Sequence, residues 1–288
     1  MQRILPILFL FTTLKVHAYW PPLQNVSASL ETTNGNQWRM NFTVFDPVLN
    51  TWQATNSGWF MASNVTWRTH PGVVYWEAHV TGGRTVNFST YDPSLRVWQT
   101  SNSGLVGSIL GNFSHGGIVY WIESPKRMVA SVYDPFLHQW VTFRGTPIAG
   151  DEIIAACDQG MPALYERFSS TGRWYVNCWI FDPLRHEWRT ARFGPYTTST
   201  GFINFEQGSI RITVGSQGYL KGYNYVSGNW WDGATLPLAV FHTSKKTGTA
   251  PLGVWFTDLS LGASKWTWSF SDGSTQNTNR SLYHMFQL

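Results

Sequence analysis

YDPFLHQW, at residues 133–140, is one of four matching octets in this sequence. Each octet opens with an aromatic residue and Asp-Pro and closes with Trp. The octets begin at Phe45, Tyr91, Tyr133 and Phe181, and an altered fifth copy begins at Tyr223. The Trp stands six positions after the Asp (Asn in the fifth copy), and successive copies lie 46, 42, 48 and 42 residues apart. These intervals divide most of the chain into five repeats.

The octet has the composition of a turn between two strands. Asp accepts hydrogen bonds from backbone N–H groups two residues on, and Pro fixes φ for the second turn position. An apolar run at residues 128–133 precedes the turn, and Trp140 begins the next strand. Repeats of about forty residues built from short strands are typical of propeller blades. We therefore expect an all-β fold of five four-stranded blades, with the four Asp-Pro turns on one face.

The amino-acid composition also favours a β-sheet protein and gives no sign of a nucleic-acid partner. Charged residues make up 12% of the 288 residues, aromatic residues 16%, and Gly occurs 26 times, which suits strands and turns rather than long helices. The net charge of +4 is too small, and its cations too scattered, to indicate a nucleic-acid partner.

Residues 1–18 have the pattern of an export signal. Arg3 precedes a short apolar run at residues 4–14, and Val16-His17-Ala18 resembles a cleavage site. The run is too short to span a bilayer, which takes about 20 residues. The sequence thus predicts a secreted or cell-surface protein with no membrane span.

The repeats resemble kelch repeats. The third one carries a Gly turn at residues 115–117, an apolar strand, then Tyr-Asp-Pro and Trp, as kelch blades do. It departs from them in lacking a Gly-Gly pair after the second strand, where Ile122-Glu123-Ser124 stands. The resemblance implies a five-bladed kelch-like propeller over residues 19–239 and leaves the ligand open. The first repeat is too short for an inner strand, so we expect residues 236–242 to supply it by pairing near residues 26–30.

The last fifty residues resemble a polycystic-kidney-disease (PKD) domain. The similarity lies in WTWSFSDGS at residues 266–274 and in His284-Met285-Phe286. It implies a partial immunoglobulin-like β-sandwich over residues 240–288, because the family's final strands would follow Leu288. We expect either the front of a longer protein or a decayed domain, acting as a spacer or adhesive module.

Two kinds of residue are candidates for ligand binding. Aromatic residues near predicted loop ends can stack on sugar rings, although packing at strand ends also explains them. Cations at the start of each third strand predict a ring that attracts an anionic partner, or else solvated charges beside strand edges. The cations are Arg39, Arg84, Lys126, Arg127, Arg173 and Lys221. The ligand-binding candidates are Trp59, Arg84, Arg127, Arg173, Trp174 and Tyr196. We expect the five repeat Trp residues to wedge between blades.

Hydrolytic chemistry is the alternative that needs acidic residues on inner strands, since glycosidases use a carboxylate pair. The candidates are Asp151, Glu152, Asp158 and Glu206, of which the last two are better explained as turn residues. Four histidines recur at repeat positions, which does not favour a metal site. We expect no enzymatic activity, cofactor or metal.

Cys157 and Cys178 fall on strands that are separated by a third. Strands two apart are nearly 10 Å from each other, and a disulfide needs Cα atoms within about 7 Å. Both are predicted to be free thiols.

The sequence therefore predicts a monomeric secreted or surface binding protein that recognises an extracellular glycan or surface protein. Two alternatives stay open: a glycoside hydrolase or lyase that uses the propeller channel, and a structural module of a larger surface protein.

Overall fold

The computed structural model describes most of the chain between residues 26 and 286. The described residues are 26–33, 35–46, 49–70, 72–115, 118–158, 161–197, 201–206, 209–225, 227–232, 241–243, 248–258, 267–276 and 282–286. All regular structure in them is β, and every strand pairing is antiparallel. The all-β prediction is confirmed.

Five sheets follow one another along the chain, and strands adjacent in sequence are paired within each sheet, except that β4 of sheet one pairs with β2. Sheet one contains β1 (Val26–Thr33), β2 (Gln37–Asp46), β3 (Thr51–Asn56) and β4 (Phe60–Met61). Sheet two contains β5 (Asn64–His70), β6 (Val73–Val80), β7 (Gly83–Asp92) and β8 (Val97–Asn102). Sheet three contains β9 (Ile109–His115), β10 (Ile118–Glu123), β11 (Arg127–Asp134) and β12 (Gln139–Pro147). Sheet four contains β13 (Glu152–Asp158), β14 (Met161–Phe168), β15 (Arg173–Asp182) and β16 (Glu187–Tyr196). Sheet five contains β17 (Gly201–Glu206), β18 (Ser209–Val214), β19 (Gln217–Asn224) and β20 (Asn229–Asp232).

In sheets two to five the strands occupy positions A to D in chain order. In sheet one, β1, β2 and β3 occupy positions B, C and D, because β2 ends at Asp46 as the other C strands end at their Asp or Asn. The short β4 pairs with β2 at Gln37 and Trp38 and so extends the edge formed by β3. Among the described residues β1 pairs only with β2, so sheet one lacks an A strand, as its length predicts.

Apolar side chains between consecutive sheets form separate cores. Met40 and Phe42 of sheet one pack in one cluster with Val74 and Trp76 of sheet two. Three further clusters join sheets two and three, sheets three and four, and sheets four and five. In sheet three the B and C strands, β10 and β11, are buried on both faces for this reason, whereas the D strand β12 is mostly exposed or half-buried.

The Asp-Pro turns between positions C and D define what we call the lower face. Their four aspartates are fully buried. Asp92 shows the pattern: its Oδ1 accepts hydrogen bonds from the backbone N–H groups of Ser94 (2.7 Å) and Leu95 (3.1 Å). The residue four positions after the Asp has a positive φ, as in Asn50, Arg96, His138 and His186. The octets are thus turns, as predicted.

Side chains from each turn reach the aspartate of the preceding sheet. The Tyr91 hydroxyl donates to Asp46 Oδ2 over 2.7 Å, and the Tyr223 hydroxyl donates to Asp182 Oδ2 over 2.6 Å. Sheet four has Phe181 at the tyrosine position, and there His186 Nδ1 lies 2.7 Å from Asp134 Oδ2 instead. These contacts bring the four Asp-Pro turns together at one end of the stacked sheets.

The repeat tryptophans pack against the preceding sheet, with one exception. The indole N–H groups of Trp140 and Trp188 donate 2.9 Å hydrogen bonds to the backbone carbonyls of Gln99 and Val141. The Trp98 and Trp230 rings lie 5.4 and 5.7 Å from Phe42 and Phe193. Trp52 in sheet one is 61% exposed, so the expectation of a wedge is wrong there.

The C-terminal strands form two small sheets. Their members are β21 (Phe241–Thr243), β22 (Leu252–Asp258), β23 (Trp268–Ser269), β24 (Thr275–Gln276) and β25 (Leu282–Phe286). The order is β21-β22-β25 in one sheet, and β23 pairs with β24 in the other. Phe241 and His242 pair with β22 rather than with sheet one, contrary to our prediction for ring closure, while residues 236–240 lie outside the described residues.

The cysteine prediction is confirmed for the strand placement. Cys157 lies opposite Pro162, and Cys178 lies opposite Ala163, so β14 separates the two cysteines. Cys178 is a buried free thiol whose pKa is raised by burial. The side chain of Cys157 lies outside the described residues.

Candidate binding face

The end of the sheets opposite the Asp-Pro turns, which we call the upper face, carries the B–C hairpin turns and the connections from position D to the next sheet. These connections fold back over the hairpin turns. The Ala62 backbone N–H donates to the Asn36 carbonyl over 3.0 Å, and Arg84 and Val106 exchange two backbone hydrogen bonds of 2.8 and 2.9 Å. This arrangement places the side chains of residues 57–63 and 103–108 beside the predicted cations.

Most of the predicted cations are engaged with oxygen atoms of the protein. Arg84 NH1 lies 2.8 Å from Glu77 Oε1, and Arg127 NH1 lies 3.9 Å from Glu123 Oε1. Lys126 Nζ donates to the Gly150 carbonyl over 2.7 Å, and Lys221 is paired with Asp232. The interpretation as a ring of free cations therefore needs correction, because carboxylates on adjacent strands neutralise most of its members.

Arg173 differs from the other candidates. It is exposed at the start of β15, and its backbone N–H donates a weak hydrogen bond to Thr171 Oγ1 over 3.4 Å. Among the described residues no carboxylate lies within ion-pair distance of its guanidinium.

Three buried glutamates near the ends of B strands organise this face. Arg144 NH1 lies 2.7 Å from Glu123 Oε1, and Arg192 NH2 lies 3.0 Å from Glu166 Oε2. Glu166 also accepts from the backbone N–H groups of Ala149 and Gly150. The third glutamate, Glu77, pairs with Arg84, as described above. Their regular recurrence in the sequence thus reflects ion pairs with arginines on the C or D strand of the same sheet.

Arg144 and Arg192 were missed by the sequence analysis, although a signal for them exists. Each stands four positions after its repeat Trp, where sheets one and two have Asn56 and Asn102. Those asparagines instead accept hydrogen bonds from the N–H groups of the second following residue, at 2.9 and 2.8 Å. The position four residues after the repeat Trp therefore holds an ion-pairing arginine in sheets three and four, and an asparagine that stabilises a turn in sheets one and two.

Trp59 forms the most exposed aromatic site among the six candidates. The residue follows β3, is 44% exposed, and has the Arg39 guanidinium 4.6 Å above the ring centroid. Arg39 is fixed in turn by Glu31, whose Oε2 accepts from Arg39 Nε at 3.1 Å. The hydrogen bonds from Arg39 and then from Asn41 hold the pKa of Glu31 below its usual value.

Residues 59–61 alternate between surface and core. Phe60 packs against the cluster between sheets one and two, whereas Trp59 and Met61 are exposed. We call Glu31, Arg39, Asn41, Trp59 and Met61 the Trp59 platform. It combines an exposed aromatic ring and an exposed thioether with the Arg39–Glu31 ion pair, whose guanidinium contacts the ring.

Trp174 does not have the predicted exposed position. Only 1% of its surface is exposed, and its ring packs against Tyr165 and Tyr196 with centroids 5.2 and 4.5 Å away. A Cβ on Gly201 would lie 2.2 Å from the Trp174 ring, so the glycine is what allows this approach. Trp174 is a core residue because β17 covers it, which the sequence alone does not indicate.

Tyr196 lies at the end of β16 and is half-buried on the same cluster. Its ring is 5.8 Å from that of Tyr219, and burial raises the pKa of Tyr196 to about 12. The Tyr196 ring mainly covers Trp174, and only its edge is available to a ligand.

The acidic candidates for hydrolysis are engaged in local contacts. Asp151 Oδ2 accepts from the Ser169 N–H over 2.8 Å, and Glu152 Oε2 lies 3.6 Å from Arg167 NH1. Asp158 and Glu206 are the last residues of β13 and β17, and their side chains lie outside the described residues. The described residues contain no cluster of metal-ligating side chains and no helix long and apolar enough to cross a bilayer.

Comparison with known proteins does not assign a family. No family model and no curated protein matches the chain. Among solved structures it is similar to a candidate 6-phosphogluconolactonase from Bacteroides fragilis, at 11% identity and TM-score 0.29, over 70% of this chain and 67% of that one. It is also similar to a chain of a mitotic checkpoint complex, at 12% identity and TM-score 0.25, over 99% of both chains. Similarities this weak carry no argument about fold or activity.

Proposed function

We propose that this chain is a secreted or cell-surface binding protein that recognises an extracellular glycan. In this proposal the five sheets are the blades of a kelch-like propeller, residues 240–288 are an incomplete PKD-like module, and the upper face binds the ligand. The external location rests on the sequence of residues 1–18 alone.

The contacts between sheets support the propeller. Four-stranded antiparallel sheets that stack in chain order, with equivalent turns at one end, are the architecture that repeats of this length form. In the C-terminal region, Asp272 caps a turn and its Oδ2 lies 2.7 Å from His284 Nε2, which ties the SDGS segment to β25. This pairing supports the PKD-like interpretation, since it joins the two segments that carry the resemblance.

The observation that carries the binding function is the exposed Trp59 ring held by Arg39. Aromatic rings provide flat apolar surfaces on which sugars stack, and a polar neighbour fixes their orientation. A guanidinium on one side of the ring holds it in place. The ring is therefore preorganised to bind a sugar on its remaining surface, which reduces the entropy lost on binding.

Binding is tested by titrating the purified protein with a panel of extracellular polysaccharides, using calorimetry or affinity electrophoresis. Trp59→Ala should abolish binding, whereas Trp52→Ala should not, because Trp52 is even more exposed but lies on the strand that leaves the lower face. Equal loss of binding in both variants would contradict the assignment of the site.

The same samples are assayed for released reducing sugar. We expect none, because the inner-strand acids Asp151 and Glu152 are engaged with Ser169 and Arg167. Sugar release that disappears on replacing Asp151 and Glu152 would establish the enzyme alternative.

A further inference from the structure

We infer that the glycan bound at the Trp59 platform is a neutral polysaccharide and not an anionic one. The inference rests on the proposed binding function and specifies its ligand. It comes from the charge pairing of the upper face, which the scattered cations of the sequence do not reveal.

The predicted cations of sheets one and two, Arg39 and Arg84, each have an anionic partner. Arg39 donates to Glu31 through two nitrogens, and Glu31 also accepts from Asn41. On the neighbouring sheet Arg84 lies 2.8 Å from Glu77. The field of a neutralised pair falls off quickly in water, so these residues attract a polyanion far less than free cations would.

An anionic ligand at Arg84 would also have to compete with Glu77. Glu77 is buried, and drawing Arg84 away from it costs free energy because a buried charge loses a close partner. We therefore expect Arg84 to stay paired with Glu77 when an anionic ligand is present.

The upper face of sheets one and two instead exposes apolar side chains. Trp59 and Leu105 occupy equivalent positions, each directly after Asn-Ser-Gly. Leu105 is 59% exposed and lies over the hairpin turn of sheet two, where a Cβ on Gly83 would be 3.2 Å from its Cδ1. Together with Met61, they give apolar contact points on two adjacent sheets.

Neutral sugar rings match this surface. Their C–H faces contact rings and methyl groups, and their hydroxyls exchange hydrogen bonds with the exposed parts of Arg–Glu pairs without displacing either partner. Contact points on two sheets favour a chain of several sugars over a single one.

The test compares each neutral polysaccharide that binds with its sulfated or carboxymethylated derivative, at low and high sodium chloride. The neutral polymer should bind with an affinity that changes less than about twofold with salt, and the derivative should bind no tighter. Leu105→Ala should weaken binding of the neutral polymer about fivefold, since it removes one apolar contact point.

The outcomes separate the inference from the proposed function. Binding restricted to the charged derivatives, with affinity that falls steeply as salt rises, would overturn the neutral-ligand inference and leave the binding function standing. Unchanged affinity in Leu105→Ala would also count against the inference. Binding to no polymer in either series would overturn both.

Discussion

The Tyr133 hydroxyl donates a 2.5 Å hydrogen bond to Asp92 Oδ2, and the two residues belong to different sheets. Asp92 is fully buried, and His138 Nδ1 lies 2.6 Å from the same oxygen. Burial, and then the hydrogen bond to Asp92, raise the pKa of Tyr133. A turn in sheet two is thus completed by donors from sheet three.

Replacing Tyr133 with Phe should lower the free energy of unfolding by about 1.5–3 kcal/mol, because a buried carboxylate loses a charge-assisted donor. The measurement is chemical denaturation followed by tryptophan fluorescence. Tyr219→Phe is the matched control: its hydroxyl donates to Gln217 in an exposed contact, so the cost should stay below about 0.5 kcal/mol. Equal midpoints for Tyr133→Phe and the parent protein would refute the role of this contact.

Truncation of the repeat tryptophans should have unequal costs. Trp140 packs 4.6 Å from Phe88 and bonds to the preceding sheet, so Trp140→Ala should cost about 3 kcal/mol. Trp52 is 61% exposed and its ring contacts Phe45 of its own sheet, so Trp52→Ala should cost less than about 1 kcal/mol. Urea unfolding of both variants measures the difference, and similar losses would show that Trp52 is packed in solution.

The cysteines should remain reduced. Protein denatured without reductant and treated with an alkylating reagent should gain two alkyl groups by mass spectrometry, because β14 lies between the two cysteine strands. In the native protein Cys178 should not react, since burial raises the pKa of its thiol. A mass two protons lower, with no alkyl group added, would demonstrate a disulfide.

Acid should weaken the C-terminal region through Asp272. Hydrogen bonds from the Ser274 hydroxyl and backbone, and then His284, lower the pKa of Asp272 from 3.8 to about 2. A carboxyl whose pKa is lower in the folded state stabilises the fold above its unfolded pKa, and that contribution disappears as the pH falls through the folded value. Thermal midpoints of the parent protein and Asp272→Asn should therefore differ above pH 4 and converge toward pH 2. A constant difference down to pH 2 would contradict the assignment.

The sequence predicted the features that the repeats impose locally. Constant spacing from Asp to Trp identified the turns, since their geometry depends on residues four to six positions apart. The apparent ring of cations was misjudged because ion pairs such as Arg84–Glu77 depend on strand register. Trp174 was misjudged because its burial depends on Gly201, on the following sheet. Contacts between sheets join residues that no local pattern relates.

The polar contacts on the lower face have a direction along the chain: the acceptor belongs to one sheet and its tyrosine or histidine donor to the following one. Synthesis from the N-terminus delivers the acceptor first. Until the next repeat has been synthesised, the aspartate of the preceding repeat therefore lacks its donor from the following sheet. Each further repeat supplies a donor to the preceding aspartate and brings an aspartate of its own. The fifth repeat has Asn224 at this position and therefore adds no further carboxylate.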